Sequence, residues 1–194
     1  MEKRANKREQ ILKDALEMFA LKGFYATTMP EMAQHLGMSP GNIYRYFSSK
    51  DELAYEVMIY SSRILGEEVN EINAIPAHSK EKIWQIVCLF LNIAKHRRSH
   101  IDFFIKVTVA SKEIFQNKKT FEETDVVKAF HIFFEEGVLK RELRNQDFFG
   151  VLGLFIGYLS GIAYMYGENL LEEDVTYYAN TISQNIYEAL RIKE

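Results

Sequence analysis

Cysteine is almost absent from this chain: Cys88 is the only one in 194 residues. A single thiol excludes an internal disulfide and fits a reducing compartment. Its apolar neighbours Val87 and Leu89 favour a buried thiol over a reactive one. Proline is scarce, at three, and the hairpin-forming pairs Asn-Gly and Asp-Gly do not occur. Apolar residues recur at helical spacing instead, so the expected fold class is all-α. Catalytic signatures are missing too. There is no phosphate-cradling Gly loop, Cys-x-x-Cys, His-Glu-x-x-His or Gly-x-Ser-x-Gly, so nothing calls for an enzyme or a cofactor. The first residues, MEKRANKRE, are charged with no apolar stretch behind them, unlike a secretory leader.

What is present begins with helix-start signals packed into residues 27–53, TTMPEMAQHLGMSPGNIYRYFSSKDEL. Thr28 followed by Glu31 is a capping box, and Pro30 stands in the first turn where its missing N–H costs nothing. Ser39 with Pro40 marks a second start, and Ser48 with Asp51 a third. Gly37 falls where the first of these helices must turn. Helix, Gly-containing turn and short helix make a helix-turn-helix unit. A helix of two turns contributes little core, so Asn42, Tyr44, Arg45 and Tyr46 are expected to face a DNA groove.

The charge distribution agrees. Residues 1–50 hold 8 Lys/Arg against 5 Asp/Glu, and the remainder holds 16 against 22. A basic front end on an acidic body suits phosphate contact by the front end alone. The periodicity predicts a first helix over about residues 4–22 with Ile11, Leu12, Ala15, Leu16 and Phe19 on one face, ended by Gly23. A helix from Ser49 to about Asn73 follows the helix-turn-helix, then a linker around Pro76. Further helices are expected from a Ser79 cap to about Lys95, and near 99–116, 119–139, 146–167 and 173–192. The architecture is therefore a three-helix head, residues 1–48, and a bundle of about six helices, residues 49–194.

The run Gly23-Phe24, Thr27-Thr28, Ala33, Gly37, Ser39, Gly41, Tyr44, Tyr46-Phe47, Lys50 and Leu53 resembles the DNA-binding head of the tetracycline-repressor (TetR) family of bacterial regulators. Spacing and residue type match over about residues 8–56, with Met32 where an Ile is usual. The resemblance implies a homodimer, a palindromic operator on double-stranded DNA, a variable ligand-binding body, repression as the default, and a cytoplasmic, nucleoid-associated protein.

On that footing Ser39–Tyr46 is the expected recognition helix. Asn42 and Arg45 suit bidentate contacts to purine edges, Gly41 allows close backbone approach, and Pro40 offers an apolar face to a thymine methyl. Tyr44, Tyr46, Lys50, Thr27 and Thr28 are the expected phosphate contacts, with Ser39 as cap and contact together. Lys3, Arg4, Lys7 and Arg8 are expected to form a basic arm.

In the body, Phe148–Gly167 is 20 residues without a charge, long enough to span a bilayer. Asp147 and Glu168 flank it, no Lys/Arg cluster anchors it and there is no second span, so a soluble helix buried on nearly all sides is expected instead. Gly153, Gly157 and Gly161 recur every four residues. Together with Tyr178, Ile182 and Ile186 of the last helix they are the expected dimer contact. Eleven of the 14 Phe lie beyond residue 84, more often a sign of core than of pocket. An apolar or aromatic effector would be lined by Trp84, Phe104, Phe134, Tyr158 and Met165, with His100, Lys106 and His131 as polar contacts. His96 and His100 have chelating spacing, but Lys95, Arg97 and Arg98 oppose a cation, so no metal is expected. The leading reading is a ligand-responsive, sequence-specific repressor. The alternatives are a DNA-bound regulator controlled by a protein partner, or a membrane-anchored helical protein.

Overall fold

The computed structural model describes residues 2–104 and 121–193, with side chains from residue 6 onward. Among these residues there are nine α-helices, one 3-10 helix and no strand beyond an isolated bridge between Leu143 and Arg191. The helices are α1 (Glu2–Lys22), α2 (Met29–His35), α3 (Pro40–Ile43), α4 (Lys50–Asn73), α5 (Ser79–His96), α6 (Arg98–Phe103), α7 (Asp125–Leu139), α8 (Phe148–Gly167) and α9 (Ala179–Leu190), with the 3-10 turn Val175–Tyr178 before α9. Packing divides them into two compact units. The first holds α1–α3, α4 as far as Ser62, and α6. The second holds the rest of α4 together with α5 and α7–α9. The unit that contains the helix-turn-helix thus extends past residue 48 and takes in α6.

The first unit is built on α1. Ile11, Leu12, Ala15, Leu16 and Phe19 are all buried, as the periodicity predicts, and Gly23 ends the helix at φ +80°, a left-handed conformation that suits glycine. Helix α6 packs on α1, with the Phe19 and Phe103 rings 6.2 Å apart. Helix α4 starts differently from expectation. Its cap is Ser49, whose hydroxyl accepts from the Glu52 N–H at 3.0 Å. Ser48, the expected cap, instead donates its backbone N–H to the Glu52 carboxylate at 2.6 Å. The sequence pairs Ser48 with Asp51, but the two roles are split: Ser49 caps the helix, while the Glu52 carboxylate reaches back to Ser48.

The second unit holds the aromatic cluster as core. Phe155 of α8 meets Phe130 at 5.1 Å and Phe133 at 6.1 Å, and Phe130 meets Phe90 at 6.1 Å. Helix α5 is capped by His78, whose Nδ1 accepts from the Lys80 N–H at 3.1 Å, and not by Ser79. Ser79 is buried, and its N–H donates to Glu142 Oε2 at 2.6 Å. The helix expected over 119–139 is interrupted: Phe121 and Glu122 are helical, Thr124 takes extended backbone, and the longer helix starts at Asp125. Of the helix expected near 99–116, α6 is the described part; the remainder, with Lys106 and Phe115, lies outside the described residues.

Two expectations for the last helices need correction. Helix α8 is not buried on nearly all sides: only 28% of its apolar 18-residue window, of mean hydropathy 1.8, is buried. Val151, Leu152, Phe155, Leu159 and Ala163 form its one inward stripe. Ile156, Tyr164 and Met165 are exposed, and a Cβ added at Gly153, Gly157 or Gly161 would meet nothing within 4 Å. By length and composition this helix suffices to cross a membrane. Ile182 and Ile186, expected at a dimer contact, are fully buried within the protomer. They belong to the α9 face that packs chiefly against α5, while Tyr178 is half-buried. A periodic apolar stripe does not say which neighbour covers it.

Candidate nucleic-acid interface

The interface is assembled from local signals. Thr28 is extended at φ −120°, and its hydroxyl accepts from the Glu31 N–H at 3.3 Å while Glu31 accepts from the Thr28 N–H at 3.2 Å. Both halves of the capping box are therefore made. Lys22 lies 3.2 Å from Glu31, and its hydrogen bond, with those from Thr28, holds the Glu31 carboxyl below its ordinary pKa. Gly37 closes α2 at φ +62°. The Met38 N–H then returns to Ala33 O at 2.8 Å, which satisfies an end-of-helix carbonyl.

Helix α3 is shorter than the Ser39–Tyr46 span expected. Pro40–Ile43 is α-helical, and the chain then tightens: the Arg45 N–H reaches Asn42 O at 3.2 Å and the Tyr46 N–H reaches Ile43 O at 3.0 Å. Ser39 occupies the cap position, but its hydroxyl makes no capping bond. So short a segment is held by its flanks. Ile43 and Phe47 are both fully buried and anchor it to the head from below. The side facing out consists of Ser39, Pro40, Gly41, Tyr44 and Arg45, all exposed, with Asn42 and Tyr46 half-buried beside them. A Cβ on Gly41 would meet nothing within the protein, so any need for glycine there comes from outside the chain.

Two of the expected phosphate contacts have partners inside the head. Thr27 is fully buried, and its hydroxyl donates to Gly23 O at 2.8 Å, which makes it an internal clamp of the α1–α2 turn. Lys50 is half-buried, and its Nζ donates to Phe24 O and Thr27 O, each at 3.0 Å. Thr28 stays exposed, although its hydroxyl is engaged with Glu31. The basic arm is not extended: residues 2–5 are helical, and Arg8 folds back to Glu56 at 3.0 Å with its guanidinium 4.9 Å from the centre of the Phe47 ring. Tyr25 went unremarked in the sequence. It is 69% exposed, set edge-on to Phe24 just ahead of Thr28. Two adjacent aromatics in a turn cannot both face inward, and that was the available signal.

Within the second unit the expected effector residues Trp84, Phe134, Tyr158 and Met165 do not line one groove. Trp84 walls an open groove of about 850 Å³ between α5 and α9, and its Nε1 donates to Asn180 Oδ1 at 2.9 Å. Phe134 lines a different groove of about 440 Å³ beside His131 and Phe148. Tyr158 accepts from Asn185 Nδ2 at 2.8 Å, Met165 is exposed, and Phe104 belongs to the first unit. His100 is buried, with its Nδ1 2.8 Å from Ser61 Oγ, so it presents no free headgroup contact. Nor do His96 and His100 share a helical turn, because Arg97, at φ −133° and ψ 44°, breaks α5 from α6. Among the described residues no three metal-ligating side chains gather.

An exposed, proline-started recognition segment braced by a capped helix defines a helix-turn-helix protein. Residues 11–57 match the family model of bacterial regulatory proteins of the tetR family. The chain matches that family over its helix-turn-helix head, 47 of its 194 residues. It is 24% identical over 173 residues to the HTH-type transcriptional regulator QacR of Staphylococcus aureus, covering 88% of this chain and 91% of that one. Against three Bacillus subtilis HTH-type regulators the matched stretch covers 45%, 38% and 32% of their length. The fold is that of a TetR family regulator from Marinobacter aquaeolei, with a TM-score of 0.80 at 16% identity over all of both chains. It is also that of the regulator FadR of Bacillus subtilis, solved with stearoyl-CoA. There the TM-score is 0.70 at 20% identity over 92% of this chain and 97% of that one.

Proposed function

We propose that this protein is a cytoplasmic, sequence-specific transcriptional regulator that binds a palindromic operator as a homodimer and is released by a small apolar or aromatic effector. The observation that carries this reading is the outward face Ser39–Arg45 set over the buried anchors Ile43 and Phe47. In that arrangement Asn42 and Arg45 meet base edges in the major groove, and Tyr44 and Thr28 lie toward the backbone on either side. The pairing of two copies is supported by the exposed apolar face of α8, whose glycines leave room for a close neighbour. Two heads then read half-sites about 34–36 Å apart.

The effector class is supported by the Phe-rich second unit and by the fold shared with FadR, which makes long-chain acyl-CoA the first compound to try. The test is selection of genomic fragments on the purified protein, followed by footprinting. A protected palindrome is expected, and retention of no fragment at low salt sinks the reading. An effector binds the native state, so it must raise the thermal midpoint and release the selected fragment.

A further inference from the structure

We propose that Tyr25, in the turn between α1 and α2, is a further DNA contact whose hydroxyl donates to a backbone phosphate beside each half-site; this rests on the regulator reading above. The ring is 69% exposed, and its hydroxyl has no hydrogen-bond partner among the described residues. It is nonetheless held in place. Phe24 takes the inward position, buried with its ring centre 5.9 Å from that of Phe19, and Tyr25 stands edge-on to Phe24 with ring centres 5.4 Å apart. The turn beneath is closed on itself. Gly23 is left-handed, the Thr27 hydroxyl returns to Gly23 O at 2.8 Å, and the Thr27 N–H returns to Phe24 O at 3.3 Å. A tyrosine has few side-chain torsions, so one carried on such a turn loses little freedom when it binds.

Position gives the partner. In a helix-turn-helix the first helix crosses the backbone and the second enters the groove, so a side chain just ahead of α2 meets phosphates and not base edges. Lys50 borders the same ring: its Nζ lies 4.3 Å from the centre of Phe24 and donates to Phe24 O and Thr27 O, each at 3.0 Å. An ammonium has three N–H donors, so one remains for an anion from outside. The Lys50 Nζ and the Tyr25 ring centre are separated by no more than the sum of their distances from Phe24. Successive phosphates of one strand advance by about 3.4 Å along the duplex, so a strand that brings one phosphate to Lys50 has another within reach of Tyr25. The Thr28 hydroxyl is spent on Glu31 at 3.0 Å, which leaves the phenol as an outward donor at this corner of the head. A phosphate oxygen accepts, and a phenol O–H donates to it with the strength that a charged acceptor adds.

The test uses the full-length protein, its selected operator fragment, and duplexes in which one phosphate at a time is replaced by an uncharged methylphosphonate. Tyr25→Phe keeps the ring and removes only the hydroxyl. It is expected to weaken operator binding on the order of ten-fold, as befits one lost hydrogen bond to a charged group. The loss should be equal across single-base operator variants, and the slope of log Kd against log salt should stay that of the wild type, because a neutral phenol releases no counterion. One methylphosphonate in each half-site that weakens the wild type should cost Tyr25→Phe nothing further, since both changes remove the same bond. Tyr25→Arg, which restores a donor and adds a charge, should recover binding with a slope steeper by about 0.9 for each phosphate met. Unchanged affinity in Tyr25→Phe overturns the proposal. A loss confined to one base pair also overturns it, and so does a Tyr25→Phe protein that every methylphosphonate weakens as it does the wild type. A wild type that retains no fragment at any salt fails the regulator reading itself, which is a different outcome from these.

Discussion

Lys82 is buried with its Nζ 2.7 Å from the carbonyl of Asn73 and 2.9 Å from Glu136 Oε2. One lysine on α5 thereby satisfies the last carbonyl of α4 and pairs with α7, three helices of the second unit held at one atom. Glu136 has a second partner in Lys140, and the two bonds together keep its carboxyl below the ordinary range, that from Lys140 contributing most.

Lys82→Met removes the buried cation of this junction and leaves the Asn73 carbonyl without its Lys82 donor. Glu136 is one-third exposed and keeps Lys140, so the loss should fall below that of a fully buried broken pair, at about 2 kcal/mol. Urea denaturation of wild type and variant measures it, and a change under about 0.5 kcal/mol would remove Lys82 from the account of stability.

Glycines in this chain divide by what surrounds them. A Cβ on Gly66 would lie 2.6 Å from the Asp125 backbone carbon, and one on Gly137 would lie 2.5 Å from Leu143 Cδ1. Gly66→Ala should therefore destabilise the protomer by about 1–3 kcal/mol, while Gly157→Ala should leave it as stable or slightly more so. Gly157→Trp should leave the circular dichroism spectrum unchanged yet lower the mass found by analytical ultracentrifugation. A dimer that survives Gly157→Trp would place the pairing surface elsewhere.

Asn42→Ala and Arg45→Ala should each cost about 1–3 kcal/mol of discrimination at one base pair per half-site. The readout is binding to a panel of single-base operator variants. Uniform weakening across the panel, with no relaxed position, would mean that these side chains touch backbone and not bases.

Acid should loosen the head through its caps. Glu31 is held below its ordinary pKa of 4.5 chiefly by the Lys22 hydrogen bond and then by Thr28, and Glu52 by the hydrogen bonds from Ser48. A carboxyl depressed in the fold contributes stability above the unfolded value and loses it as pH falls through the folded one. The gap in thermal midpoint between wild type and Glu31→Gln should be widest at neutral pH and close below pH 4.5. Asp174, drawn down to about 2 by Lys95 and Thr176, should keep its contribution to lower pH than either. A gap that does not vary with pH contradicts the assignment.

Signals confined to a few residues were legible in the sequence. The Thr28–Glu31 box, the left-handed Gly23 and Gly37, and the buried face of α1 all depend on neighbours within one or two turns. Proline and glycine placement likewise located α3, although not its early tightening after Ile43. What escaped was the partner across space. Nothing near Lys50 in sequence points to Phe24, and nothing in the spacing of Ile182 and Ile186 distinguishes α5 from a second copy. The Ser48 and Ser49 pair shows the finer limit: two hydroxyls in a row offer two caps, and the reach of Glu52 decides between them. The His96 and His100 spacing failed because one residue, Arg97, leaves helical geometry between them.

The uncharged flank of α8 carries a thermal signature. Contacts between hydrocarbon surfaces lose strength in the cold, because their driving force near room temperature is entropic. Two copies joined along Ile156, Gly157 and Tyr164 should accordingly part more readily on ice than at growth temperature, so chilled, dilute handling would favour lone subunits with an uncovered sticky side.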